Sequence, residues 1–162
     1  MQISELVKAQ GGLVLSRKET KASGNGGCPY KRLTLRALTE DGEIDSSALE
    51  DFCASETLSH AWFASPGDVV IRLFSPLCPV VIEEGQEKLL VPSQLAILKV
   101  KDCTILLPEF LKISLSQKEI QEKIRRIESG TTQRVVKLGT IMELQICLLY
   151  TSDAADEARS VD

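Results

Sequence analysis

The chain has 162 residues, of which 43% are hydrophobic and 26% charged, ordinary values for one globular domain with a core of its own. No apolar run approaches the ~20 residues that cross a bilayer, and MQISELVKAQ lacks the basic start and apolar centre of an export signal. A cytoplasmic protein without membrane contact is expected.

The net charge of −4 hides three blocks. Residues 8 to 36 carry seven Lys/Arg against Glu19 alone; residues 40 to 68 carry eight Asp/Glu and no Lys/Arg; residues 112 to 137 carry seven Lys/Arg against three Glu. A locally basic face can meet phosphate whatever the total, because the local field governs nucleic-acid contact. The five cysteines include four spaced 25 residues apart (Cys28, Cys53, Cys78, Cys103), but their flanks share nothing and no pair has CxxC spacing. Reduced, mostly buried thiols are expected.

In chain order, QISELVKA reads as a short amphipathic turn with Ile3, Leu6 and Val7 inward, broken by Gly11-Gly12 before a strand candidate at Leu13–Leu15. Arg17 to Gly27 is a polar, basic, glycine-rich loop: either a solvated connection or a segment that binds phosphates through Arg17 and Lys18. Tyr30 to Leu38 alternates, with Arg32, Thr34 and Arg36 on one side, which suits a nucleic-acid surface or a half-exposed antiparallel strand. Ser46 to Phe52 holds a helical turn capped by Ser46 or Ser47, and the single His60 has no metal-ligand company. Pro66-Gly67-Asp68 turns into VVIRLF, whose Arg72 needs a polar partner: a phosphate or base, or the acidic segment 40–68. Further strands are expected at Pro79–Ile82 and Leu95–Val100, with a hairpin turn at Glu83–Lys88 and Pro92-Ser93-Gln94 preceding the last strand. Pro108 suits the first turn of a helix PEFLKISLS, where its missing amide costs nothing. Ser116 and Glu119 form a capping-box pattern for a helix striped by Ile120, Ile124 and Ile127 and ended at Gly130.

Phosphate-loop, dinucleotide and nucleophile-elbow patterns are absent, as is a methyltransferase acceptor motif. No catalysis, cofactor or metal is expected.

The segment ESGTTQRVVKLGTIMELQI after that helix resembles the closing part of a target-recognition domain from the specificity subunit of type I restriction–modification systems. ISELVKAQGGLVLSRKE, YKRLTLRAL, PGDVVIRLFSP, LLVPSQLAILKVKD and LLPEFLKISLSQ agree with it in order, over roughly residues 1 to 147. Residues alone support only short strands mixed with helices. The resemblance implies an α+β fold, a curved mixed β-sheet of short strands with the C-terminal helices packed on one side and an apolar strand after residue 134. It further implies a non-catalytic subunit for sequence-specific duplex DNA recognition, with Arg17, Lys18, Arg36, Arg72, Gln94, Thr132, Gln133 and Arg134 as candidate contacts. Gln133 and Arg134 are the foremost of these, and a loop that merely caps the preceding helix is the competing reading of Ser129 and Gly130. The implied partners are double-stranded DNA, the methyltransferase and restriction subunits, and a second half-subunit in self-pairing. A protein-interaction or accessory domain without DNA contact, its acidic and basic segments pairing internally or with a partner, is the alternative. DNA reading requires residues 17–36, 72 and 131–134 to converge on one concave face. The small acidic segment 148–162 resembles translated sequencing-adaptor sequence, which implies a non-native tail; a native acidic tail is the other reading.

Overall fold

The two most apolar runs of the chain become strands buried on both faces. The computed structural model describes residues 2–17, 28–74, 76–86, 88–129 and 136–146. Lys18, Gly130, Thr132, Gln133, Arg134 and the segment 148–162 lie outside these residues. Among the described residues the elements are α1 (Ile3–Leu6), β1 (Val7–Gly11), β2 (Cys28–Arg32), β3 (Glu50–Ala54), β4 (Phe63–Ala64), β5 (Val69–Arg72), β6 (Val80–Val81), β7 (Leu89–Leu90), β8 (Leu95–Val100), α2 (Pro108–Leu115), α3 (Lys118–Ser129) and α4 (Leu138–Met142), with short 3-10 turns between them. The fold is α+β, as expected, with the short strands divided between two four-stranded sheets. The first, in order β1-β8-β5-β6, is antiparallel; the second, β3-β2-β7-β4, is mixed, because β2 and β7 run parallel.

Alternation along β5 and β8 shows how the layers stack. Val69, Ile71, Ala96 and Leu98 point to a core shared with α2 (Leu111, Leu115), α3 (Ile120, Ile124) and α4 (Ile141), so the C-terminal helices do cover one side of this sheet. Val70, Leu95 and Ile97 point the other way, to a core shared with Leu33, Ala64 and Leu89 of the second sheet's layer. The outer face of that second sheet is closed by Phe52, Phe63, Leu58 and Leu90. A strand covered twice has no solvent side, which is why VVI and LAIL read as continuous apolar runs. The described residues contain no helix long and apolar enough to cross a membrane.

Several local expectations are corrected. The strand near the N-terminus is Val7–Gly11, not Leu13–Leu15, since β1 gains its backbone bonds by pairing with β8; Leu13 forms only an isolated bridge to Pro92. The alternating segment 30–38 is strand only to Arg32, then turns through a 3-10 segment Leu35–Ala37. The 3-10 turn at Ser46–Ala48 is capped by Asp45, whose carboxylate accepts from the Ser47 amide at 3.0 Å, rather than by a serine. In the segment expected as a hairpin turn, Glu83–Lys88, the described part Glu83–Gln86 makes a β-turn, with the Gln86 amide bonded to the Glu83 carbonyl at 3.1 Å, but the strands on either side, β6 and β7, belong to different sheets and form no hairpin. Residues after Val136 form the short helix Leu138–Met142, not a strand. Of the described thiols only Cys78 is buried; Cys53 is half-buried and Cys103 exposed.

Ser116 has a different job from the capping box. Its hydroxyl donates back to the Lys112 carbonyl at 2.8 Å and its amide to Lys112 and Ile113, which makes it the C-terminal cap of α2. An N-cap serine replaced by alanine costs ~1 kcal/mol, whereas a hydroxyl bonded to the carbonyl four residues back contributes little. Ser116→Ala is therefore expected to change stability by less than about 0.5 kcal/mol, measured by urea denaturation.

Candidate nucleic-acid interface

One end of the first sheet gathers chain segments that are far apart in sequence. β1 leaves the sheet at Gly11, β5 at Arg72, and β8 enters at Leu95, with Gly11 opposite Ala96 and Arg72 opposite Leu95. Beyond these strand ends the backbones stay together. The Gly12 amide donates to the Leu95 carbonyl at 3.1 Å, Leu13 to Val91 at 2.9 Å, and Leu73 to Gln94 at 3.1 Å. The Val136 amide donates to the Leu73 carbonyl at 2.7 Å, so the chain that follows α3 re-enters the described fold one residue from Arg72.

This arrangement brings two of the candidate residues, Arg72 and Gln94, to one sheet end, because Leu73 beside Arg72 is bonded to Gln94. Gln94 is exposed in the turn Pro92-Ser93-Gln94. Arg72 ends β5, whereas Arg17 is exposed on the 3-10 turn Leu15–Arg17, whose Leu15 packs against the outer cluster of the second sheet. Lys137, exposed beside Val136, joins Arg72 and Gln94 and was not among the candidates. Its only sequence signal was its place just after the hydroxyl-rich loop; the Val136–Leu73 bond that brings it here cannot be seen in sequence.

Arg72 does not form the ion pair with the acidic segment that was one of its two expected partnerships. Its Nε donates to the Pro76 carbonyl at 2.9 Å and its guanidinium carbon lies 4.8 Å from the centre of the Phe74 ring. Among the described residues no carboxylate of the acidic segment pairs with it. Nearby, burial pushes the Cys78 thiol up, against the pull of the Arg72 charge.

The acidic and basic blocks meet elsewhere, on β2 and β3. Lys31 and Asp51 are register partners with Nζ 2.6 Å from the carboxylate, and Arg32 pairs with Glu50 in the next register position. Thr34, expected beside the arginines, donates its hydroxyl to the Ala48 carbonyl at 2.7 Å. The Arg–Thr–Arg face is thus not formed. Arg36 stands apart from the sheet end, exposed on the 3-10 turn Leu35–Ala37. It faces Asp45, whose carboxyl is held below its ordinary range mainly by hydrogen bonds from Ser47, with Arg36 adding a smaller pull. A third carboxylate, Asp68, is buried; it accepts from Lys99 at 2.7 Å and from the Ser65 amide at 2.9 Å, which fixes the turn into β5.

No protein-family model and no curated protein sequence matches the chain. Solved structures do. One is a chain from a study of the structural basis of complex assembly and conformational transition of the type I restriction–modification system, at TM-score 0.65 and 13% identity, covering 88% of this chain and 35% of its own. Another is the S subunit of the type I restriction–modification system of M. genitalium, at TM-score 0.53 and 17% identity, covering 90% of this chain and 33% of its own. The chain has the type I S-subunit fold. It spans about a third of the length of each of these structures. Within this fold, the end of the first sheet carries Arg72 and Gln94 together with exposed Lys137, which follows the residue bonded to Leu73.

Proposed function

We propose that this protein is a non-catalytic target-recognition module that reads duplex DNA for a type I restriction–modification system. The observation that carries the reading is the meeting of the Arg72, Gln94 and Lys137 segments at one sheet end, on a scaffold with the S-subunit fold, with Arg17 added by sequence on the turn that follows the Gly12–Leu13 crossing. Arginine, lysine and glutamine are the side chains that hold phosphates and address base edges. The one lysine and one arginine of β2 are already paired with Asp51 and Glu50, so the sheet end is the stronger candidate for phosphate contact. Lys18, Thr132, Gln133 and Arg134 belong to the same proposal by sequence, since they adjoin Arg17 and Val136. Arg36 contributes least, being separated from the others and facing Asp45. Methyltransferase and restriction subunits are the proposed protein partners, and pairing of two such modules is proposed to supply a second half-site.

The β2–β3 ion pairs favour a second reading, an interaction module whose charges are satisfied internally. Fluorescence anisotropy of the full chain with a random-sequence duplex at 50 and 200 mM salt separates the two. DNA contact through several phosphates predicts affinity falling roughly tenfold or more over that fourfold rise. Folded protein that leaves the duplex unbound at 50 mM would favour the interaction module.

A further inference from the structure

We infer that Arg72 is a base reader, and that the base it selects is guanine. The inference rests on the DNA-reading proposal above and gives one of its residues a specific task. The Arg72 guanidinium is held at two points. Its Nε is committed to the Pro76 carbonyl of the following turn at 2.9 Å, and its central carbon lies 4.8 Å from the centre of the Phe74 ring. The backbone beneath it is equally fixed, because the Arg72 amide donates to Leu77 at 2.8 Å and the next residue is bonded on both sides, to Gln94 and Val136. Among the described residues no carboxylate pairs with the two Nη groups.

A guanidinium tethered at Nε and braced by an aromatic ring presents its two Nη groups as a two-pronged fork. Such a fork matches a rigid pair of acceptors, and in the major groove O6 and N7 of guanine are that pair. A phosphate can be met by any exposed cation, a task for which Lys137 suffices on this proposal. Fixing the fork beforehand lowers the entropy lost on binding, a gain that matters most where the partner's geometry is exacting. Phe74 and Pro76 thus act as a pedestal, and neither needs to touch DNA.

The test is selection of binding sites from a random duplex library with the wild-type full chain, Arg72→Lys and Phe74→Leu. Thermal denaturation of each variant confirms that it is folded. Wild type is expected to enrich a motif containing at least one guanine. Arg72→Lys, which keeps the charge but loses the planar fork, should lose preference at that one guanine by roughly tenfold or more, with the salt dependence of binding unchanged. Phe74→Leu keeps the arginine and should weaken the same preference at the same position only. Overturning results are equally distinct. If Arg72→Lys leaves every motif position intact, or lowers affinity uniformly over all sequences with a shallower salt slope, Arg72 is a phosphate contact or plays no part. If wild type binds DNA but enriches no motif, base reading fails while DNA binding stands. If wild type fails to bind, the proposed function itself fails, and this inference with it.

Discussion

Gly12→Ala is expected to destabilise the protein by about 3 kcal/mol, the upper end of what overpacking costs, while Gly11→Ala, one residue away, should be neutral or stabilising by up to ~1 kcal/mol. A β-carbon on Gly12 would lie 1.8 Å from the Pro92 carbonyl oxygen, 2.3 Å from its carbon and 2.8 Å from the Val91 oxygen. These are backbone atoms of the turn that crosses Gly12 and Leu13, so no side chain can swing aside. Relief requires separating the two segments, which breaks the Gly12–Leu95 and Leu13–Val91 hydrogen bonds. At Gly11 a β-carbon meets nothing within 4 Å, and alanine in strand β1 is less costly to order than glycine. Urea denaturation of both variants measures the contrast. Equal effects at the two positions would contradict the close crossing of Gly12 over Val91 and Pro92. Because that crossing is also part of the proposed interface, Gly12→Ala should weaken DNA binding even at temperatures where it remains folded.

Removing either face of β8 is expected to be as costly. Ile97 and Leu98 are both fully buried, but Leu98 faces the helices and Ile97 faces the second sheet. Truncation of a buried aliphatic side chain to alanine costs about 2–5 kcal/mol, combining the lost transfer energy with the cavity left behind. Ile97→Ala and Leu98→Ala should therefore each cost about 3 kcal/mol in chemical denaturation. In a sheet with one solvent face, one of the two would be nearly silent. A large asymmetry between them would refute the stacking of helices, first sheet and second sheet.

That stacking explains what could be read from the sequence. Leu95–Val100 and the helix from Pro108 were legible because their signals are local: an apolar run flanked by turn residues, and a proline whose missing amide fits a first helical turn. The helical stripe of Ile120, Ile124 and Ile127 was legible for the same reason, and all three pack into the helical core. Ser116 misled because the serine that ends one helix stands three residues before Glu119 of the next, so one spacing fits two roles. VKAQG carries no strand signature of its own; Val7–Gly11 is a strand because β8 offers it hydrogen bonds, and Lys8 even stands opposite Lys99 there. Glu83–Lys88 shows the limit of turn reading: Gly85 adopts a φ of 92°, as such a turn needs, but a turn does not tell whether its flanking strands pair.

The candidate site divides along the same line. Arginine and glutamine could be chosen from composition, and Arg72 and Gln94 stand at one sheet end, where Leu73 bonds Gln94, while Arg17 follows a turn packed on the second sheet. Arg36 was chosen from an alternation that stops at Arg32, where Leu33 bonds Leu90 and the chain turns. Lys137 was missed because its position follows from one long-range hydrogen bond, Val136 to Leu73. The Phe74–Arg72–Pro76 arrangement was equally hidden, since sequence gives neighbours but not which way a side chain folds back.

The measurement that tests the central claim most directly is amide hydrogen exchange of the full chain with and without duplex DNA. The account predicts slowed exchange at Gly12, Leu13, Leu73, Gln94 and Leu95 on binding, with Glu50–Ala54 of β3 unchanged. Protection centred on Glu50–Ala54, or none at the sheet end when DNA is bound, would contradict it.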